Sequence, residues 1–355
     1  VGSSQPVIGI SGHMDVVSEG DHDHWTYDPF TLTEDQGYLY GMGAADMKSG
    51  LAALAIALIE IKESGKLTHG TIKFMATVGE EMEQSGSQQL FEKGYADDLD
   101  ALLIAEPSFP SLVYAHKGSM DFRIKSKGRA SHSSLPFLGQ NAIKPLLEFI
   151  QNINQEYEKI TQSVKGESLD FSNMINNLGS QLPNHITKEK AQELIQGLVM
   201  TNSIVQGGTQ VNSVPDFATA EFNVRTIPEH NNNKVKALFN KYIEEANQNG
   251  ASLTQELYLD LEPVVTTGQN RLVELGFDIA KSHFSNERDL IVTPTVAVTD
   301  ASNLLKGKDE NFPFLMFGPG NGPHQINECV EKTNYLEFVE YYIEFITSYL
   351  NEENE

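Results

Sequence analysis

The sequence predicts an α/β fold: a mixed sheet with helices on both faces, interrupted by a smaller α+β domain. Three observations carry this. Short apolar runs at residues 7–12, 101–104 and 314–317 lack polar alternation, as strands buried on both faces do. Helical patterns at 48–63 and 334–350 stand between or after them. In the middle of the chain, 119–126 and 218–225 alternate apolar and polar, as half-exposed strands do.

The elements follow in order. Residues 7–12 read as a buried strand running into His13. Residues 48–63 are Ala-rich and helical, closed by Ser64-Gly65, since glycine takes the left-handed turn that ends a helix. Their apolar centre, 51–61, is too short to span a bilayer. Residues 71–78 form a strand with Glu80-Glu81 at its end, and Glu106 lies just past the strand at 101–104. The strand at 314–317 leads into a Gly/Pro loop carrying His324, and 334–350 is a terminal helix. The acidic and imidazole side chains therefore gather where strands end, and such sheets bind ligands beyond those ends.

The middle reads strand, helix (142–153), strand, helix (235–246), strand: a small sheet with helices on one face. Residues 1–116 and 265–355 make the main domain and 117–264 the inserted one, with hinges expected near Lys117 and Glu262. Residues 161–200 are polar and weakly patterned, an extra helical excursion.

A chain of 355 residues and 39.3 kDa can bury two proper cores. Its net charge of −24 argues against nucleic acid and anionic membranes as partners. No signal peptide is visible at the start, and a single cysteine, Cys329, fits the reducing cytoplasm. Cys329 reads as a small buried thiol rather than a metal ligand.

The chemistry rests on a few positions. His13 and Asp15 are two apart, so on a strand they share a face, and a carboxylate there can fix the tautomer of a metal-binding imidazole. Asp46 sits in a Gly-rich loop opening a helix; alone it could be a helix cap, and the loop lacks the final glycine of a dinucleotide fingerprint. Adjacent Glu80 and Glu81 repel unless something positive compensates, and Glu106 and His324 have similar placements. Two imidazoles with three carboxylates suit two zinc ions sharing a bridging aspartate, with one glutamate left to act on water.

Taken together, Ser11-Gly12-His13-Met14-Asp15, Gly41-Met42-Gly43-Ala44-Ala45-Asp46-Met47-Lys48, Gly79-Glu80-Glu81, Ala105-Glu106-Pro107-Ser108 and the loop ending in His324 resemble the dinuclear zinc amidohydrolase and carboxypeptidase family. This is the group of the desuccinylases, acetylornithine deacetylases and glutamate carboxypeptidases. The resemblance implies a zinc-peptidase-like catalytic domain and an inserted lid and dimerisation domain. It implies two Zn2+, with Co2+ or Mn2+ as substitutes. His13 and Glu106 would hold one ion, Glu81 and His324 the other, and Asp46 both. Asp15 would orient His13, and Glu80 would be the general base.

The resemblance extends into the inserted domain, through Gly128-Arg129-Ala130-Ser131-His132 and Val211-Asn212-Ser213-Val214-Pro215. It implies that His132 reaches the partner subunit's site in a homodimer, and that Asn212 and Arg225 contact a substrate carboxylate. The expected substrate is a small N-acyl amino acid or short peptide, first of all N-succinyl-LL-diaminopimelate. N-acetylornithine or a dipeptide would use the same centre, and a non-catalytic metal-binding homologue is the alternative of another class.

Three features depart from the family pattern. The segment before the His13 strand is short, which suggests a fragment; Ser49 stands where glycine is common; and 161–200 is long. Of the other histidines, His22 and His24 lie in an acidic loop, His69, His185, His230 and His283 read as surface or turn residues, and His116 stands at the domain junction.

Overall fold

The computed structural model describes residues 1–179, 182–284, 289–320 and 322–351. In chain order the strands are β1 (Val7–His13), β2 (Thr33–Asp35), β3 (Tyr38–Tyr40), β4 (Thr71–Thr77), β5 (Ala101–Pro107), β6 (Ser111–His116), β7 (Gly118–Lys127), β8 (Val199–Gly207), β9 (Phe217–Thr226), β10 (Leu253–Leu261), β11 (Ile291–Thr295), β12 (Phe314–Gly318) and β13 (Cys329–Glu331). The helices are α1 (Lys48–Ser64), α2 (Ser85–Glu92), α3 (Ile143–Ser163), α4 (Ser172–Leu178), α5 (Lys188–Gln196), α6 (Asn232–Gln248), α7 (Arg271–Phe284), α8 (Ala301–Leu304) and α9 (Lys332–Asn351). The chain divides into two compact units: Val1–Ala115, Val264–Thr295 and Thr299–Glu355 form the first, and His116–Pro263 with Val296–Val298 the second.

The first unit is built on a six-stranded mixed sheet, ordered β11-β6-β12-β5-β1-β4. Neighbours β4, β1, β5 and β12 run parallel, and β6 is antiparallel to β12. Every residue of β1 and β12, and all of β5 but Pro107, is buried, so both faces are covered by helices, as the unbroken apolar runs predict. Helix α1 packs on α9, α9 on α7, and α2 on α8. Gly65 closes α1 in the left-handed conformation.

One glycine decides how closely α1 approaches the sheet. A Cβ on Gly50 would sit 2.0 Å from the Ala105 carbonyl oxygen, so only glycine lets the start of α1 lie against β5 beside Glu106. Phe109, Phe284, Phe317, Phe338 and Tyr341 form one aromatic cluster, with Phe284 and Phe338 centroids 4.8 Å apart. Each such buried side chain contributes about 1.5–3 kcal/mol. The buried hydroxyls of Tyr341 and Tyr342 donate to the carbonyls of Gly276 and Phe317, at 3.2 and 2.7 Å, so their burial carries no unpaired polar group.

The second unit is a four-stranded antiparallel sheet, β10-β7-β9-β8. Met120, Phe122 and Ile124 of β7 and Ala220, Phe222 and Val224 of β9 turn one face inward, against Phe149 of α3 and Phe239 of α6. The sequence pattern predicts three strands here, and β8 makes the fourth. Its residues are mostly exposed and rich in Thr, Asn, Ser and Gln, so an edge strand carries no apolar alternation to read. The 161–200 excursion contains the two short helices α4 and α5 and the first residues of β8.

Candidate metal centre

Parallel strands place the candidate ligands together, because their C-terminal ends lie side by side. His13 is the last residue of β1, and Glu106 the second-last of β5. Glu80 and Glu81 stand in the turn after β4, and His324 in the loop after β12. Asp46 lies two residues before α1.

The distances define the arrangement. Asp46 Oδ1 is 3.1 Å from His13 Nε2, and Asp46 Oδ2 is 3.3 Å from His324 Nε2. Glu106 Oε1 is 3.6 Å from His13 Nε2, and Glu81 Oε2 is 2.9 Å from His324 Nε2. One aspartate thus faces two imidazoles with its two oxygens, and each imidazole faces a glutamate besides. His13, Asp46 and Glu81 can converge on one point, as can His13, Glu80 and Glu106. Donor atoms about 2.0–2.1 Å from a tetrahedral ion lie about 3.3 Å from one another, so these spacings and this nitrogen–oxygen donor set fit metal ions. His324 takes φ +60°, a region little used by non-glycine residues, which turns its ring toward Glu81.

Asp15 works differently from expectation. The His13 Nδ1 donor faces the backbone carbonyl of Asp15 at 2.9 Å, while the Asp15 carboxylate is 3.7 Å from that nitrogen. Strand β1 ends at His13, so the same-face rule does not reach Asp15. The carbonyl still takes the Nδ1 proton and so orients the ring with Nε2 facing Asp46 and Glu106. The Asp15 carboxylate instead accepts from the backbone N–H groups of Gly79, Glu80 and Glu81, at 2.7, 3.3 and 3.2 Å. It holds the turn that presents both glutamates.

The site is overloaded with negative charge. Burial first, then the neighbouring Glu106 and Asp300 charges, holds the Glu80 carboxyl well above the usual range. Glu81 is raised by burial and Asp46, and Glu106 is pushed up to about 8 by burial, with Asp46 adding to it and His13 opposing. Burial works to lower the His13 pKa, but Asp46 and Glu106 override it and push it to about 12. Divalent cations are the ordinary compensation for such a cluster.

Four residues of the site were not legible beforehand. Glu328 is buried, and its Oε1 accepts from the N–H groups of Ala45 and Asp46. Asp300 is buried and accepts from Thr77 Oγ1, and Thr77 pairs with His13 across β1 and β4. Gln84 and Asn303 lie behind Glu80. Acidic and amide residues of this kind are common in loops, and only pairing across more than two hundred positions distinguishes these.

The remaining candidates lie in the second unit. His132 is exposed, and its segment bridges to Ser213. Its Nδ1 accepts from the Ser134 N–H at 3.2 Å, which leaves the proton on Nε2. The Ser133 N–H donates to the Asn212 carbonyl at 3.0 Å, so His132 and Asn212 sit together. Arg225 does not join them. It lies on β9 eight residues beyond Phe217, roughly 26 Å along the strand, opposite Ser119 and Val199.

Cys329 and His283 lie in surroundings other than the sequence predicts. Cys329 is half-buried, in a short strand paired to Tyr40, rather than fully buried. His283 is no surface residue: it lies between Glu337 and Glu344 of α9, at 2.5 and 2.9 Å. His22 and His24 are exposed, and Asn321 lies outside the described residues. Among the described residues, no helix is long and apolar enough to cross a membrane.

Residues 9–348 match the model of peptidase family M20/M25/M40. The chain is 43% identical over 352 residues to a probable succinyl-diaminopimelate desuccinylase of Staphylococcus epidermidis, covering 99% of this chain and 85% of that protein. Its fold is similar to the M20 metallo-carboxypeptidase Sso-CP2 of Sulfolobus solfataricus, with a TM-score of 0.79 at 19% identity, covering 98% of this chain and 85% of that one. It is also similar to the YXEP protein of Bacillus subtilis, described as a dinuclear metal-binding peptidase of the M20 family. That TM-score is 0.59 at 17% identity, covering 98% of this chain and 82% of that one.

Proposed function

The chain belongs to peptidase family M20/M25/M40 and is a hydrolase of amide bonds, and from that premise we propose that it removes the succinyl group from N-succinyl-LL-diaminopimelate. The products are succinate and diaminopimelate. The observation that carries the catalytic part is Asp46, which faces His13 with one oxygen and His324 with the other. The substrate rests on the likeness to desuccinylase-named relatives over nearly the whole chain.

His13 and Glu106 would hold one Zn2+, Glu81 and His324 the other, and Asp46 both. Bound there, the two ions would lower the pKa of a water and polarise the amide carbonyl. Glu80 is the general base: its carboxylate takes the proton of the attacking water and delivers it to the nitrogen of the leaving amine. The Asp15 carboxylate fixes the turn that aims Glu80.

The protein works as a cytoplasmic homodimer joined through the inserted domain. His132 of one subunit donates Nε2–H to the oxyanion in the other, and Asn212 and Arg225 bind a substrate carboxylate. The separation of Asn212 from Arg225 within one chain is consistent with sites shared between two subunits.

The test is hydrolysis of N-succinyl-LL-diaminopimelate, N-acetylornithine and a few dipeptides by the zinc-loaded protein, with a chelator control and Glu80→Ala beside it. The proposal requires a chelator-sensitive preference for the succinylated compound and a Glu80→Ala protein that keeps its metal. Preference for an acetyl compound or dipeptide would replace the substrate. No turnover with two ions bound would make the protein a metal-binding homologue.

A further inference from the structure

We propose that Gln84 is the positioning residue of Glu80, held in turn by Asn303 and Lys306. This rests on the reading of Glu80 as the general base.

Gln84 Nε2 donates to Glu80 Oε1 at 2.8 Å. Gln84 is fully buried at the start of α2, with φ 53° and ψ 37°, a left-handed conformation unusual for a residue with a Cβ. Its backbone N–H closes the turn onto the Gly79 carbonyl at 2.6 Å. A buried amide needs partners for both its ends. Asn303 Nδ2 supplies the other, 3.4 Å from Gln84 Oε1, and also reaches the Gln84 carbonyl at 3.4 Å and Ser87 Oγ at 3.1 Å. Asn303 Oδ1 accepts from Lys306 Nζ at 2.7 Å.

The two ends of this relay fix its direction. An ammonium can only donate and a carboxylate can only accept. Lys306 therefore orients the Asn303 amide, Asn303 orients the Gln84 amide, and Gln84 turns its N–H to Glu80. Every donor points toward Glu80, and the charge at the far end strengthens each bond in the chain. The relay pins Oε1 and leaves Oε2 to carry the proton between water and amine. A Glu80 carboxylate loosened by even a small rotation would lose the alignment that proton transfer needs.

The test is Gln84→Met, which keeps the side chain's length and removes its amide. It is assayed on whichever substrate of the panel turns over fastest. The expected result is a fall in kcat of about 10- to 100-fold, with KM, bound zinc and the spectrum of the cobalt-loaded protein unchanged. Added to Glu80→Gln, the same change is expected to cost nothing further, because it acts through Glu80. Unchanged kcat in Gln84→Met beside an inactive Glu80→Gln would overturn this proposal alone, as would a loss that tracks zinc content or adds to that of Glu80→Gln. Full turnover by Glu80→Gln would remove the base reading itself. Should Gln84→Met not fold, Asn303→Ala probes the same relay one bond further out; a smaller fall in kcat at full zinc content is expected, and no fall would overturn the proposal.

Discussion

The Glu328 carboxylate holds the backbone of Asp46: its Oε1 accepts from the N–H groups of Ala45 and Asp46, each at 2.8 Å. The two residues are 282 positions apart in the chain. They meet because β13 pairs with β3, and the residues flanking those strands, Glu328 and Gly41, stay in register through a 3.1 Å hydrogen bond. The aspartate that faces both imidazoles therefore rests on a buried acid from the far end of the sequence.

Glu328→Ala leaves two buried N–H groups unpaired, each costing about 1–3 kcal/mol, and frees the Asp46 loop to move. Metal affinity is expected to drop about 10- to 100-fold, as for other residues that orient ligands. Glu328→Gln keeps an accepting oxygen and should lose much less. Competition against a chromophoric chelator measures both; wild-type affinity in the alanine variant would show that the loop holds itself.

The metal-free protein should lose stability as pH rises. Glu106 has its folded pKa pushed up to about 8, so the folded state holds that proton more tightly than the unfolded state, where the ordinary value is 4.5. The stability this provides is full below about 4.5 and is lost as pH climbs through about 8. Glu80, Glu81 and Asp300 shift the same way. With metal bound, a cation takes the proton's place, so the slope should flatten. Calorimetry with and without chelator between pH 5 and 8 checks this, and a rising Tm in the metal-free protein would contradict it.

His283 gives a second pH dependence, away from the site. Burial alone would lower its pKa, but Glu337 and Glu344 on either side win and raise it above 6.5. A raised imidazole stabilises the fold fully below the unfolded value and loses that contribution as pH passes the folded one. His283→Gln should therefore lower Tm at pH 5.5 and change it little at pH 9. An equal loss at both would mean the ring matters by packing alone.

Mixed subunits separate sites contained in one chain from shared ones. Glu80→Ala and His132→Ala proteins are each expected to be nearly inactive. If His132 acts on the partner's site, a hybrid dimer carries one site with both residues intact, and mixing should restore up to about a quarter of wild-type activity on statistical grounds. Verified subunit exchange without recovery would place His132 outside the partner's chemistry.

Much of this protein is written locally. His13, Asp46, Glu80, Glu81, Glu106 and His324 could be picked out because each follows a short apolar run or opens a helix, and period and length signal those elements without reference to the rest of the chain. The parallel order of β4, β1, β5 and β12 then brings them to one edge. The small sheet of β2, β3 and β13, the edge strand β8 and the pairing of His283 with α9 left no such mark. Strands β2, β3 and β13 are three residues each, β8 is a mostly exposed edge, and His283 meets Glu337 across 54 positions.

By itself the sequence determined the kinds of elements and the donor atoms at their ends, because hydrophobic period and residue chemistry are properties of neighbours along the chain. Only the tertiary structure decided what each donor rests on: Asp15 on the Gly79–Glu81 turn, Glu328 beneath Asp46, and Gln84 and Asn303 behind Glu80. Those partners are chosen by burial. A polar group taken out of water must be met by another, and which one meets it depends on how distant segments pack.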